Sequence, residues 1–518
     1  MSELIQGSLC WRLCTALALW LKGSWIGRFF AFLGGLWRQS GTYRLLRRLL
    51  LSPSVVERSG YYRVLGRLND RLYGLGALLE ASFFLGLLRR LYAWLKKSFL
   101  LGKLLSRGIT GVVLFVAAAY APLDYLLRDV LQLAAIASVW DELLILFGFF
   151  WVFYQRTQKR IPSRGNAGDL FLAFYLLAGV VLLLLTVSDL GVNITGMRAS
   201  MQYILLFFVI VRLIRDRADL MMMYKVMVLI AFAIALHGIL QFVMGVEIPD
   251  SWTDQAEQSV RTRVFSIFSN PNIMGGYMVM FAPMAIGMAY SVREPAQKLF
   301  YWFAGICMCL GCLFTMSRGS WMSLAVAAVL FALVVDRKLF AVLLLGGLAA
   351  CALPFVRSRI GYLFTDAFER SNATGGRAKR WAMAFGYLDE EHAWTFGLGF
   401  GIYGGAVAVQ NPIRNYEYMY VDNYYVKTLA ENGIVGLSCL LTMLSGLLFQ
   451  GARAIAKTGR SEYKPLCTGM LAGLIGILIQ SLFESMWEEP YMMALFFIVA
   501  AMMLCAGLLH RREQSKTL

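Results

Sequence analysis

Asp422 and Asn423 stand just before an apolar segment in the stretch VDNYYVKTLAENGIVGL, with Gly433 and Gly436 following. A carboxylate that can take a proton and an amide that can hold a hydroxyl thus meet where an apolar helix reaches water. Several isolated arginines could serve the same chemistry. Arg261 and Arg263 precede the turn Asn270-Pro271-Asn272, where Pro271 suits a first helical position. Arg318 lies between small residues in Thr315-Met-Ser-Arg-Gly-Ser320, and Arg377 begins GGRAKRW. A guanidinium at a helix junction can fork onto a phosphate, or it can simply snorkel to the interface. For Arg198, in GMRASMQY, the residues alone favour the anchor. His392, in DEEHAW, is a competing base in what reads as a solvated acidic turn, and Glu431 has Lys427 four residues earlier as an ion-pair partner.

The elements that must position these groups are apolar helices. Of the 518 residues, 59% are hydrophobic and 15% charged, where a soluble chain carries roughly 25% charged residues. The expectation is an all-α, polytopic transmembrane bundle with about twelve spans. These are placed at 109–127, 134–154, 170–187, 199–213, 220–246, 273–290, 299–316, 321–335, 339–355, 433–449, 466–483 and 491–509. No cleavable signal peptide is expected, because the run 13–21 has no small-residue cleavage site after it. All nine cysteines fall in apolar runs, which points to packing and not to disulfides.

Charge divides the chain. Residues 1–108 hold 17 Lys and Arg against 4 Asp and Glu, or +13 of the net +18. This basic stretch alternates with Leu at helical spacing and reads as amphipathic helices on an anionic membrane surface or packed on the bundle, not as a nucleic-acid site. Residues 109–355 then hold nine spans, 356–421 one long hydrophilic loop, 422–510 three more spans, and 511–518 a tail. With the N-terminus cytoplasmic, every inner loop is basic, while the short outer loops are nearly free of Lys and the one at 484–490 is acidic. All the chemical candidates then face outward, and a loop as long as 356–421 is expected to carry part of an active site. Within it, Trp381, Ala384, Phe385 and Leu388 share one helical face, so an amphipathic helix on the outer surface is expected.

From residue 109 to the C-terminus the order of segments resembles the O-antigen ligase–polymerase superfamily. In that family a His followed by Asn, Ser or Gln precedes nine residues and Gly-x-x-Gly; here Asp422 stands at the His position with the spacing intact. Arg263 with the Asn270–Asn272 turn, Arg318, Arg198, and the Arg377…Trp381 helix with the later Gly397-Leu-Gly-Phe-Gly401 turn are also similar to family segments. The resemblance implies glycan transfer from a polyprenyl-diphosphate carrier to an acceptor hydroxyl at the outer face of a bacterial cytoplasmic membrane. It implies Asp422 as base, Asn423 orienting acceptor or sugar, and Arg198, Arg263, Arg318, Arg377, Asn270 and Asn272 in substrate binding. No metal or cofactor is expected, since no carboxylate cluster suggests one. The partners implied are a lipid-linked oligosaccharide and a glycan, lipid or protein acceptor. Polymerase and ligase both fit. A transporter of lipid-linked glycans also fits the spans, but its site should lie near the midplane and its halves should look repeated. A non-catalytic scaffold leaves the clustering of motifs unexplained.

Overall fold

The computed structural model of the chain describes residues 23–51, 64, 82, 85–86, 90, 107–158, 166–247, 262–268, 270–413, 416 and 420–517. Most of the basic stretch 1–108, together with Arg261, Cys10 and Cys14, lies outside the described residues. What is described is helical, without a strand. The helices are α1 (Trp25–Gln39), α2 (Gly41–Leu51), α3 (Gly108–Ala118), α4 (Tyr120–Tyr125), α5 (Trp140–Thr157), α6 (Ala167–Leu185), α7 (Leu190–Met201), α8 (Ile204–Leu213), α9 (Arg217–Met244) and α10 (Pro271–Ser291). They continue with α11 (Pro295–Phe314), α12 (Arg318–Val334), α13 (Leu339–Ala352), α14 (Pro354–Gly361), α15 (Asp366–Thr374), α16 (Arg377–Glu390), α17 (Ala406–Gln410), α18 (Tyr424–Thr458), α19 (Tyr463–Gln480) and α20 (Pro490–Thr517).

Among the described residues eight stretches are long and apolar enough to cross a membrane. They are α6, α7 with α8, α9, α10, α11, α18, α19 and most of α20. Two bent pairs raise this to ten if each is one span: Gly108–Ala118 with Tyr120–Val130, bent 76°, and Leu339–Ala352 with Pro354–Phe364, bent 84°. All twelve segments read from the sequence fall on helices, but a count of twelve spans is not reached. The reasons are local: α12 is only 17 residues long, and α5 carries Asp141, Glu142 and Arg156.

The bundle is built around α10, α19 and α20, whose most apolar windows are 89%, 72% and 94% buried by the protein itself. Small residues make this possible. A Cβ on Gly473 or Gly469 of α19 would come within 2.2 or 2.6 Å of the Met280 or Pro283 carbonyl oxygen of α10. Glycines four apart on one face let two backbones touch, the usual solution where lipid removes the hydrophobic drive between helices. Basic connections at one end are tied by ion pairs: Arg212 to Asp169 at 2.9 Å, Arg293 to Glu462 at 2.7 Å, Arg217 to the same Glu462, and Arg107 to Asp216 and Asp219.

At the other end, residues 356–421 fold on themselves. The amphipathic helix expected around Trp381 is α16, but its apolar face is covered by protein. Ala384 and Leu388 pack with Leu398, Ile402, Tyr403, Val421 and Ala430 in a core separate from that of the bundle. The connection is made through a break in α18. Gly433 has φ 64° and ψ −170° inside this helix, so the backbone groups on either side of it lose their helical partners. Chain 394–399 supplies them. Ile434 N donates to Trp394 O (2.8 Å) and Val435 N to Thr395 O (3.2 Å), while Leu398 N donates to Ala430 O and Gly399 N to Glu431 O (both 2.9 Å). In a membrane an unpaired amide costs several kcal/mol, so a broken span needs such partners. The Lys427–Glu431 pair forms at 3.1 Å, and Glu488 joins it at 3.3 Å from Lys427. Glu431 also accepts from Gly401 N (3.0 Å) and Glu488 from Ala406 N (3.3 Å), which pins the glycine-rich turn to α18.

Gly433→Ala adds a methyl group at positive φ and 2.3 Å from the Thr395 carbonyl oxygen. It should destabilise the protein by about 3 kcal/mol or more, read as a lower melting temperature of the purified protein in detergent. Gly386→Ala, on α16 with nothing within 4 Å of the new methyl, is the control and should shift stability by no more than about 1 kcal/mol.

Candidate active site

Four of the sequence-derived residues converge on one cavity of about 140 Å³, lined by Arg263, Asn272, Ser317, Arg318, Gly319, Arg359, Arg377 and Phe483. Each arrives from a different junction. Asn270 caps α10 by accepting from Asn272 N at 2.7 Å, and Pro271 supplies the first helical residue. This turn points the Asn272 side chain at Arg263, whose Nη2 donates to Asn272 Oδ1 at 2.9 Å. Arg263 Nε donates to Thr315 O at 3.0 Å, just beyond the C-terminus of α11. Ser317 caps α12, so Arg318 leaves its first turn beside the cavity, its guanidinium over the rings of Tyr362 and Phe368 at 5.7 and 5.4 Å. Arg377 opens α16 and donates from Nη2 to Phe483 O at 2.7 Å. Its Nε is buried and has no hydrogen-bond partner.

Arg359 was missed in the sequence. It is buried, and its Nε donates to Met316 O at 3.0 Å. The available signal was its residue type, an Arg within the long hydrophilic loop 356–421 that also carries Arg377. Four guanidiniums therefore face a cavity whose described lining includes no carboxylate. Such a site suits a compact polyanion, above all one with the oxygens of a diphosphate.

Asp422 lies beside this cavity without lining it. Arg377 and Arg380 leave α16 three residues apart, about one turn, and Arg380 Nη1 donates to Asp422 Oδ2 at 2.6 Å. The Asp422 backbone is in the left-handed region, with φ 51°. It is flanked by Val421, whose carbonyl accepts from Trp381 Nε1 at 3.0 Å. Burial pushes the Asp422 carboxyl above its ordinary range, and the Arg380 and Arg377 charges hold it back. Asn423 is buried, and its Oδ1 accepts from Tyr425 N (2.9 Å) and Val426 N (3.1 Å), capping α18. Its side-chain carbonyl oxygen is thus engaged by backbone.

Two further candidates stand apart. Arg198 pairs with Glu142 at 2.6 Å and donates to Gln202 at 3.0 Å; it does not line the cavity. His392 is exposed at the end of α16 and does not line it either. Glu484 is drawn in instead: its Oε2 accepts from Asn272 Nδ2 at 2.7 Å. Among the described residues no group of three or more His, Cys, Asp or Glu is gathered to hold a metal ion.

Residues 303–441 match a protein family described as O-antigen ligase. The matched segment includes Arg318, Arg359, Arg377, Arg380, Asp422 and Asn423, while Arg263, Asn272 and Glu484 lie outside it. No curated protein matches the chain.

If the guanidiniums form one anion site, losing any of them should weaken it. Arg318→Ala and Arg359→Ala should each lower the affinity of the purified chain for inorganic pyrophosphate by about tenfold or more, on the order of 1.5–3 kcal/mol for a charge-assisted contact. Arg198→Ala should leave that affinity unchanged. Isothermal titration of the three variants checks both expectations.

Proposed function

From a chain that is a multi-pass membrane protein and carries an O-antigen ligase domain, we propose a glycan transferase using a polyprenyl-diphosphate-linked donor. The enzyme moves or polymerises the glycan onto an acceptor hydroxyl of a glycan, lipid or protein. The observation that carries this reading is the convergence of Arg263, Arg318, Arg359 and Arg377 on one cavity, with Arg380, one turn along α16 from Arg377, bonded to a carboxylate of raised proton affinity.

The chemistry follows from that arrangement. The acceptor oxygen attacks the anomeric carbon, and the bond from that carbon to the diphosphate oxygen breaks with its electron pair going to the diphosphate. The four guanidiniums are set in place to receive the developing charge before it forms. The acceptor's proton goes to Asp422. An ordinary Asp is a weak base, but burial makes this one a better acceptor, while the Arg380 charge opposes its protonation. Direct displacement inverts the anomeric configuration. Asn423 contributes by capping α18, which holds Asp422 in place. The basic connections of the bundle support a cytoplasmic N-terminus and an outward-facing site in a bacterial cytoplasmic membrane. The basic N-terminal stretch supports contact with anionic lipid, with Phe29, Phe32, Leu36, Trp37 and Leu45 exposed on α1 and α2. Transport of lipid-linked glycan is the weaker reading, because the polar groups gather at one end of the bundle and not at its middle.

Asp422→Asn should cut transfer by a factor on the order of 10² or more while donor binding survives, and Asp422→His should recover part of the rate with a pH optimum nearer the imidazole value. Near-wild-type transfer by Asp422→Asn in a reconstituted assay removes Asp422 as base. A wild-type protein that moves the donor across vesicles without consuming it is a transporter.

The pH profile gives an independent check. A base must be ionised, so activity falls as pH drops through its pKa. Arg380 lowers the Asp422 pKa, so Arg380→Gln should move the acid limb of the profile to higher pH. An unmoved or downward-moved limb argues that another group titrates.

A further inference from the structure

Glu484 takes no part in the chemistry above, yet its carboxylate is bonded to Asn272, a residue of the arginine cavity. It sits in the short connection between α19 and α20 and is partly buried. Its Oε2 accepts from Asn272 Nδ2 at 2.7 Å, and Asn272 Oδ1 accepts from Arg263 Nη2 at 2.9 Å. An amide has one accepting and one donating end. With a carboxylate on one side and a guanidinium on the other, Asn272 has only one satisfactory orientation. We propose that Glu484 is the positioning residue of the anion site: it orients Asn272, and through it Arg263, and exchanges a proton when a diphosphate enters. This deepens the proposed function and rests on its reading of the cavity.

Proton exchange follows from what surrounds the group. Asn272 faces it from the start of α10 with Arg263 behind, Arg377 from α16, Asp422 from the segment before α18, and Glu488 from its own connection. Burial and the Asp422 charge push the Glu484 carboxyl up to about 7, while Asn272 and Arg377 hold it from going higher. A dianion in the cavity adds negative charge nearby and raises it further. Binding therefore takes up protons near neutral pH, and by linkage the affinity falls as pH rises past that value. Protonated Glu484 still accepts from Asn272 through its carbonyl oxygen, so the Asn272 orientation survives.

The test uses the full-length chain in detergent and P1,P2-dimethyl diphosphate, whose two ionisations lie well below the range and which therefore stays a dianion. Binding is measured by calorimetry from pH 6 to 8.5 in two buffers of different ionisation enthalpy. Wild type should take up protons, with affinity falling by up to about tenfold per pH unit above about 7, the limit for one linked proton. Glu484→Gln, neutral and of the same shape, should bind with a nearly flat pH dependence and without proton uptake. Asp422→Asn removes a charge that raises the Glu484 carboxyl, so its affinity should begin to fall at a lower pH than in wild type, and Glu484→Asp should keep a titrating group. Wild-type binding that is lost in Arg318→Ala but shows no proton uptake overturns the role of Glu484 and leaves the cavity reading standing. A Glu484→Gln variant with the wild-type slope does the same. Absence of binding by wild type at every pH overturns the cavity reading, and the role of Glu484 with it.

Discussion

Everything at the candidate site depends on a backbone constraint: the carbonyl and amide groups freed where α18 breaks at Gly433 must find partners. They find them in residues 394–399, which run alongside the break and make four hydrogen bonds across it. That contact fixes the end of α16 through the Trp394 turn, and α16 in turn carries both Arg377 and Arg380. The glycine-rich turn is held to the same half-helix by the buried Lys427 and Glu431, joined by the half-buried Glu488. The cap over the bundle is thus anchored through its main chain at one helix break, and the side chains of the site take their positions from it.

The second constraint is electrostatic. Four guanidiniums around one small cavity repel one another, and no carboxylate is among its described lining residues. Their donors are instead held largely by carbonyl oxygens just beyond helix ends: Thr315 and Met316 after α11, and Phe483 after α19. Carbonyls at a helix C-terminus have no helical partner and carry partial negative charge. A neutral carbonyl orients a guanidinium without cancelling its charge. The carboxylates stand one residue further out, Asp422 behind Arg380 and Glu484 behind Asn272.

Some of this was legible beforehand because it follows from residue type. Asn270-Pro-Asn272 reads as a helix start and is one; Arg318 among small residues reads as a helix junction and lies at one. The arginines stood out because they run against the charge bias of the loops. Arg198 stood out for the same reason but pairs with Glu142, since a charge bias marks an unusual residue and not its partner. The count of twelve spans goes beyond the eight to ten seen among the described residues for a related reason: hydropathy marks apolar helices, and α12 is short while α5 carries three charges.

Alone, the sequence determined the class of the protein, its apolar helices, the Asp422-to-Gly433 spacing and the residues able to do chemistry. Each of these is local, set by composition, periodicity or a short run of residues. Only the tertiary structure decided that Arg263, Arg318, Arg359 and Arg377 share a cavity, that Arg380 restrains Asp422, and that Glu484 reaches Arg263 through Asn272. Those contacts join segments 40 to more than 200 residues apart. No spacing rule reaches that far, because the approach is set by how glycine-lined helices pack and how a broken one is repaired.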